Sequence, residues 1–248
     1  MVDLIEAASF SFPREKGRKN EDAILMPRKL DDGFMFAVAD GVGSYDGGGL
    51  ASQAAISFLQ NINISNNLLD VESVFSNIKH LVSNLSKKDD AYRKAATTLS
   101  FCYLNNDGLT IGHVGDCRVY LKFGNKLKQI TKDHTQYQSM VDKKIFTKKY
   151  LKDSKAKNIL TSAIAENVEL KFDCFNISNE ELVLGSQDGK LCTIYIMSDG
   201  AHKFWDHRPR FSDATMENVC CFSNSLLKRV FRKSPVDDFS FVGASFVL

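Results

Sequence analysis

Two apolar, strand-like runs in this chain end in the same dipeptide, Asp-Gly. Residues 34–39 (FMFAVA) lead directly into Asp40-Gly41, and residues 192–198 lead directly into Asp199-Gly200. A nearly continuous apolar run of this length is typical of a strand that is covered on both faces. Such strands have to lie inside a layered domain, which limits the folds that are open to the chain.

Two further acidic positions follow the same pattern. Asp237-Asp238 stands just before a strand-like run at 239–247, and Gly115-Asp116 lies between two others. Each acid alone is compatible with a simple turn, because Asp-Gly is a common turn dipeptide. Together they predict carboxylates gathered on one rim of a sheet, where their repulsion is costly unless cations or protons neutralise it. Oxygen ligands without Cys or His favour Mg²⁺, Mn²⁺ or Ca²⁺ over zinc.

The remaining pattern predicts an α+β fold. Runs rich in Val, Ile, Phe, Tyr and Thr predict further strands at 97–104, 109–114 and 118–123. Apolar residues at helical spacing predict helices at 50–60, 71–85 and 213–231. Hairpins separated by helices favour an α+β layered domain over a parallel doubly wound sheet. We find no repeat or linker, so we expect one domain over residues 1–248, with the Lys-rich segment 132–157 as an insertion.

The composition excludes several classes of function. The chain has 248 residues with 32 Lys and Arg against 30 Asp and Glu, a net charge of +2 that gives no reason to expect nucleic acid or a membrane as partner. No apolar stretch approaches the ~18 residues of a membrane span. The acidic N-terminal segment does not resemble a secretory signal, so we expect a cytoplasmic protein. The six cysteines form no C-x-x-C pair, and none has an Arg six residues later, as a cysteine phosphatase requires.

Nine short motifs occur in a fixed order along the chain. They are NEDA at 20–23, AVADGVG at 37–43, ATTL at 96–99, GHVGDCRVYL at 112–121, LKQITKDHT at 127–135, QSMVDKKIF at 138–146, NILTSAI at 158–164, IMSDG at 196–200 and DDFS at 237–240. Through them the sequence resembles the metal-dependent Ser/Thr protein phosphatases (protein phosphatase 2C, the PPM family), particularly the short single-domain bacterial type. The motifs are spread over about nine tenths of the chain, from residue 20 to residue 240, and the specificity lies in their order and spacing.

The resemblance implies a four-layer α-β-β-α sandwich, in which two antiparallel sheets are flanked by helices and a metal centre lies in the cleft at one end. It implies that Asp40 bridges two metal ions and that the Gly41 carbonyl is a further ligand. Asp199 and Asp237 would complete the shell of the first ion. These three aspartates would therefore be the catalytic residues.

The resemblance also assigns residues around this centre. Glu21 and Asp22 would contact the ions through water, and Asp238 would lie behind the ligands. Asp116, with Asp199, matches the third-metal position of the bacterial members, beside a flap formed by 132–157. The cofactors would be two or three Mn²⁺ or Mg²⁺ ions.

The implied activity is hydrolysis of phosphoserine and phosphothreonine in proteins by direct attack of a water that bridges two metal ions. The partners would be phosphoprotein substrates, opposing a Ser/Thr kinase, and we expect a monomer. Two alternatives stay open: a phosphatase-fold regulatory protein that binds without turnover, and a hydrolase of small phosphoesters. The presence of Asp40, Asp199 and Asp237 favours an enzyme over a degenerate regulator.

Two histidines are candidates for the acid that protonates the leaving serine oxygen. These are His113 and His134. The alternative is that each ring caps a turn or packs against a strand.

The sequence departs from the family at two places. Family members have a phosphate-binding Arg four residues before the Glu of N-E-D, where this chain has Gly17, with Arg18 and Arg14 nearby but out of register. Because glycine gives the backbone unusual freedom, we expect a bend that brings Arg18, with Arg14 as substitute, to the phosphate. The alternative is that both are solvated surface cations. The run DGVGSY at 40–45 also lacks the second Gly or the His that members of the family have there.

Overall fold

The computed structural model describes residues 1–42, 47–63, 69–147, 149–151, 154–184 and 190–248. Within these residues the strands are, in chain order, β1 (Asp3–Phe12), β2 (Asp22–Leu30), β3 (Gly33–Asp40), β4 (Ala96–Thr97), β5 (Leu99–Asn105), β6 (Gly108–Val114), β7 (Arg118–Phe123), β8 (Lys126–Gln129), β9 (Ile164–Ala165), β10 (Asp173–Ser178), β11 (Leu191–Met197) and β12 (Phe239–Val247). The α-helices are α1 (Gly48–Asn61), α2 (Val71–Ser83), α3 (Gln136–Asp142), α4 (Asn179–Val183), α5 (Asp199–His207), α6 (Asp213–Glu217) and α7 (Val219–Arg232).

The strands form two five-stranded sheets. The first has the order β1-β12-β11-β7-β8 and the second the order β10-β6-β5-β3-β2, while β4 and β9 form a separate short pair. Neighbouring strands in both sheets are antiparallel. The predicted α+β fold with two antiparallel sheets is therefore confirmed.

The central strands have two buried faces, which explains their continuous apolar runs. In β3, Phe36 and Val38 belong to the cluster between the two sheets, whereas Met35 and Ala37 belong to the cluster that α1 and α2 form on the other face. Successive side chains of a strand point to opposite faces of the sheet, so a strand covered on both faces has no side chain that faces solvent.

The first sheet is covered in the same way. In β12, Val242 and Phe246 face the second sheet, whereas Phe239 and Phe241 pack with Phe222 of α7. Helices thus cover the outer face of each sheet, and the layers follow the order α-β-β-α.

Several elements of the structure differ from the sequence pattern. The predicted helix at 213–231 is two helices, α6 and α7, because the chain is extended at Asn218 and the Asn218 side chain accepts a hydrogen bond from Cys221 N at 2.8 Å. The sequence pattern also did not predict the strands β1, β2, β8, β9 and β10 or the helices α4 and α5.

The Lys-rich segment 132–157 contains α3 and most of a short 3₁₀ helix, Lys155–Asn158. Residues 148, 152 and 153 of this segment lie outside the described residues. All six cysteines are free thiols, and Cys102, Cys117 and Cys192 are buried. Among the described residues, no helix is long and apolar enough to cross a membrane.

Candidate metal centre

The predicted acids come together at one end of the sandwich. Asp40 is the last residue of β3 and pairs with Asp22, the first residue of β2, across their ladder. Asp199 follows β11 as the first residue of α5, and Asp237 precedes β12. Asp116 lies in the turn that carries the chain from β6 of the second sheet to β7 of the first. Strand ends from both sheets therefore supply these carboxylates.

These strand ends enclose a cleft of about 280 Å³. Its acidic lining residues are Glu21, Asp40, Asp116, Asp199, Asp237 and Asp238. Gly41 also lines the cleft, and Asp22 lies buried beside it. The structure thus brings together every acidic residue that the sequence analysis singled out.

The two Asp-Gly pairs are not simple turns. A Cβ atom at Gly41 would lie 2.5 Å from the carbonyl carbon and oxygen of Gly48, and one at Gly200 would overlap the carbonyl of Asp238. Each glycine therefore lets two backbone segments approach closely next to an acid of the cleft.

Backbone and hydroxyl groups fix the position of Asp40. Its carbonyl accepts hydrogen bonds from Thr98 N at 2.8 Å and from Thr97 Oγ1 at 3.0 Å. Gly41 N donates to the carbonyl of Glu21 at 3.1 Å, which ties the end of β3 to the residue before β2. The Asp40 carboxylate is free of protein hydrogen bonds in the described part of the chain and remains available to the cleft.

Asp238 organises the loop between β1 and β2. Its Oδ1 accepts a hydrogen bond from Arg14 N at 2.9 Å, and its Oδ2 accepts one from Glu21 N at 2.7 Å. Both oxygens are thus occupied by backbone N–H groups, and Asp238 holds residues 14–21 against the start of β12.

Asp22 is linked to the first sheet through Ser198. Ser198 Oγ donates to Asp22 Oδ2 at 2.9 Å and accepts from Ser240 N at 2.8 Å. Burial, reinforced by the nearby charges of Asp199 and Asp238, raises the pKa of Asp22 to about 8. Asp22 Oδ1 is buried and has no hydrogen-bond partner among the described residues.

Three other acids of the cleft also resist ionisation. Burial, followed by the charge of Asp22, raises the pKa of Asp40 well above its usual range. Burial, followed by the charge of Asp199, does the same for Asp116 and, to a smaller degree, for Asp237. A positive charge placed in the cleft would favour the ionised form of all of them.

Lys203 is a cation of the cleft that the sequence analysis missed. Its Nζ donates to Asp199 Oδ2 at 2.6 Å from one turn further along α5. Burial alone would lower the pKa of Lys203, but the charges and hydrogen bond of Asp199 raise it, and Asp116 and Asp237 act in the same direction. The sequence does contain a signal for this ion pair, since an Asp and a Lys four residues apart on a helix lie side by side. That signal could be recognised only if helix α5 had been predicted.

The donor set fits hard divalent cations, although the carboxylates do not form a closed ligand shell in this conformation. Among the described residues, no three His, Cys, Asp or Glu side chains form a group that could hold a metal ion. Asp199 Oδ1 is nevertheless buried, and it has no hydrogen-bond partner among the residues that the structure describes. An unpaired buried carboxylate oxygen beside other ionisable acids is what a bound Mg²⁺ or Mn²⁺ would stabilise.

Both candidate phosphate-binding arginines line the cleft. The expected bend is present, since Gly17 has φ +90° and Arg18 N donates to the Glu15 carbonyl at 3.2 Å. Arg14 Nε is buried without a hydrogen-bond partner in the described residues, and the nearest carboxylate oxygen, Glu15 Oε1, is 3.9 Å away. Residues 43–46, which include the departure at Gly43-Ser44-Tyr45, lie outside the described residues.

The two histidines are engaged away from the cleft. His113 Nε2 donates to the Lys132 carbonyl at 2.9 Å, its Nδ1 lies 2.8 Å from Ser100 Oγ, and burial lowers its pKa to about 4. His134 Nδ1 accepts from Gly115 N at 3.2 Å, and its Nε2 donates to Asp173 Oδ2 at 3.2 Å. The structure therefore favours the packing alternative over the acid for both rings.

Known proteins share this architecture. A family model for protein phosphatase 2C matches residues 13–229. The protein phosphatase PhpP of Streptococcus pneumoniae serotype 2 is 27% identical over 181 residues, which cover 69% of this chain and 74% of that protein.

Two solved structures superpose over almost the whole chain. The serine/threonine phosphatase Stp1 from Staphylococcus aureus has a TM-score of 0.79 at 18% identity and covers 98% of this chain and 95% of its own. The catalytic domain of the serine threonine protein phosphatase PstP, in complex with two manganese ions, has a TM-score of 0.74 at 21% identity and covers 100% of both chains. The structural likeness agrees with the family model, which spans most of the sequence. The chain belongs to the protein phosphatase 2C family.

Proposed function

We propose that this protein is a Mg²⁺- or Mn²⁺-dependent phosphatase that removes phosphate from phosphoserine and phosphothreonine in proteins. The observation that carries the proposal is the convergence of Asp40, Asp199 and Asp237, from three separate strand ends, on one cleft in a chain of the protein phosphatase 2C family. PhpP and Stp1, which this chain resembles, are named as protein phosphatases.

The family resemblance assigns the residues that would hold the ions, and their places in the cleft support this assignment. Asp40, with the Gly41 carbonyl, would lie between two ions, and Asp199 and Asp237 would complete the shell of the first. Glu21 and Asp22 would accept hydrogen bonds from coordinated waters. Two divalent ions held there would lower the pKa of a water and neutralise the charge on the phosphoryl oxygens.

Asp116 and Asp199 would hold a third ion on the side of the predicted flap. Asn158 and Leu160, which follow the flap segment 132–157, line the cleft. Thr135 and Leu160 form a β-bridge that joins the two ends of this segment. These contacts support a flap that covers one side of the cleft as part of a single domain.

Arg18, with Arg14 as the second candidate, would bind the substrate phosphate. Both line the cleft, and Asp238 holds the backbone of Arg14 in place. A guanidinium matches two phosphate oxygens at once, whereas a lysine offers a single point charge. Arg14 Nε is buried and has no hydrogen-bond partner among the described residues, which supports a direct role for this second arginine as well.

The proposal extends to partners and location. Substrates would be phosphoproteins of the cytoplasm modified by a Ser/Thr kinase, and the protein would act as a monomer.

The decisive assay measures phosphate release from a phosphothreonine peptide and from a small phosphoester such as glycerol phosphate. We expect peptide turnover that requires added Mn²⁺ or Mg²⁺, is lost in EDTA and returns on readdition of the ion. Full activity in EDTA would overturn metal dependence. Turnover of the small ester alone would indicate the small-phosphoester hydrolase instead, and metal binding without any turnover would indicate the regulatory protein.

A further inference from the structure

A basic groove lies between the C-terminal ends of α5 and α7, outside the metal centre. Its volume is about 760 Å³, and no Asp or Glu among the described residues lines it. The Lys and Arg residues that line it are Arg208, Arg210, Lys228, Arg229, Arg232 and Lys233. The chain as a whole has a net charge of only +2, so this groove is a local concentration of positive charge.

One wall of the groove is held in place by Arg229. Its guanidinium donates to the carbonyls of Phe204, Arg208 and Arg210 at 3.3, 2.6 and 2.9 Å, and it lies 4.0 Å from the centre of the Phe211 ring. These contacts fix the segment after α5 on the surface of α7. The groove is therefore a preformed feature of the fold, with little side-chain entropy left to lose at this wall.

The other five cations have no carboxylate partner within the described residues. The structure shows no ion pair for Arg208, Arg210, Lys228, Arg232 or Lys233 in that part of the chain. The acids closest in sequence are engaged elsewhere. Asp206 pairs with Arg118, Asp213 accepts a hydrogen bond from Asn125, and Asp237 lines the metal cleft. Crowded like charges without counterions create a positive potential that favours an anionic ligand.

We propose that the basic groove binds an acidic segment of the phosphoprotein substrate, at a distance in sequence from the phosphorylated residue. This inference rests on the proposed phosphatase function. Helix α5 connects the two places, since its first residue, Asp199, lines the metal cleft and its last, His207, lines the groove. The nine residues of α5 rise by about 12 Å along the helix axis. A fully extended polypeptide spans this distance with about four residues, and a polypeptide that follows the protein surface needs a few more.

The chemistry of the groove favours a polypeptide over nucleic acid. Arginine forks match the two oxygens of Asp and Glu carboxylates. Arg229 already covers one face of Phe211, which reduces the aromatic surface of the groove on which unpaired bases could stack. The near-neutral chain also lacks the wide positive field that steers proteins to nucleic acid.

The first experiment compares two phosphothreonine peptides that differ only in a tract of four Glu or four Gln placed six residues from the phosphothreonine. We expect the wild-type enzyme to have a kcat/KM about 5- to 20-fold higher for the Glu peptide, mostly through KM, and to lose this preference at high salt. The double variant Lys228→Gln/Arg232→Gln should reduce the preference to less than about twofold while its turnover of p-nitrophenyl phosphate stays unchanged.

A matched control removes two exposed lysines elsewhere on the surface. Lys87→Gln/Lys88→Gln loses the same charge outside the groove and should keep the full preference. Equal kcat/KM for the two peptides in the wild-type enzyme, or equal loss of preference in both double variants, would overturn the proposal.

A binding measurement separates this inference from the proposed activity. Fluorescence anisotropy of a labelled Glu-tract peptide without phosphothreonine needs no turnover. We expect binding to the wild-type protein that weakens at least fivefold in Lys228→Gln/Arg232→Gln and remains in Lys87→Gln/Lys88→Gln. Absence of binding, or tighter groove-dependent binding of a single-stranded oligonucleotide or of phosphatidylserine vesicles than of the peptide, would contradict an acidic peptide as the ligand.

Discussion

Lys203 Nζ lies 2.6 Å from Asp199 Oδ2, one turn further along α5. The ammonium group thus neutralises an acid that the family resemblance assigns to two metal positions. Asp116 and Asp237 also interact electrostatically with Lys203. A metal ion that binds Asp199 through this oxygen must displace the ammonium group or share the oxygen with it.

Replacing Lys203 should strengthen metal binding. Lys203→Met keeps most of the aliphatic stem and removes the competing charge, so we expect Mn²⁺ to bind about three- to tenfold more tightly in isothermal titration calorimetry. Lys203→Arg keeps the charge and serves as the matched control. Unchanged Mn²⁺ affinity in Lys203→Met would show that the ion pair does not compete with the ions.

The metal-free protein should become less stable as the pH rises. The folded-state pKa of Asp22 is about 8, above its unfolded value, so the folded state holds a proton that the unfolded state releases above about pH 4. The free energy of unfolding therefore falls as the pH rises from about 4 to about 8 and then levels off. Asp40, Asp116 and Asp237 contribute in the same direction.

Urea titrations in EDTA at pH 5.5 and pH 8 measure this change. The free energy of unfolding of Asp22→Asn should depend less steeply on pH than that of the wild-type protein. Asp107→Asn, which changes an exposed turn, should keep the wild-type dependence on pH. Stability that increases between pH 5.5 and pH 8 in the absence of metal would contradict the raised pKa values.

Much of the metal cleft could be predicted from the sequence, because Asp40 and Asp199 follow strands whose apolar runs are continuous. That local pattern locates a strand end, and two buried faces explain it. The strand β1 was not predicted because its burial alternates weakly, and it is held mainly by pairing with β12, more than 200 residues away. Lys203 was missed because the short helix α5, of only nine residues, was not predicted. The place of this helix beside the metal cleft depends on tertiary contacts.

The two candidate phosphate-binding arginines show a different limit of sequence reasoning. The sequence placed Arg14 and Arg18 out of register with the family, and only the fold shows that both line the cleft. The hydrogen bonds of Asp238 to Arg14 N and Glu21 N position this loop, and they join residues more than 200 positions apart. No local pattern contains that information.

Loss of the arginines should weaken substrate binding without disturbing the metal ions. We expect Arg18→Ala to raise KM for a phosphothreonine peptide several-fold, Arg14→Ala to have a smaller effect, and the double variant to exceed either. Mn²⁺ affinity should stay the same in all three. Unchanged kcat/KM in the double variant would remove both arginines from phosphate binding.

Gly41→Ala should destabilise the protein by about 1–3 kcal/mol, because its Cβ atom would meet the backbone of Gly48 and Glu21. Gly49→Ala, within α1, is the matched control, since a Cβ there would lie 3.4 Å or more from the nearest atoms of residues 19–21 and should be neutral or stabilising. Urea unfolding of both variants measures the difference. Equal stability of the two variants would contradict the close approach of the segments at Gly41.

The role of Asp40 is the most direct test of the proposed phosphatase. The measurement is the rate of phosphate release from a phosphothreonine peptide at saturating Mn²⁺ by the wild-type protein and by Asp40→Asn, with matching circular dichroism spectra in EDTA confirming intact folds. Because Asn removes the charge that would lie between two ions, we expect a loss of about 1,000-fold or more. A variant that keeps its rate within tenfold of the wild-type protein would contradict the account.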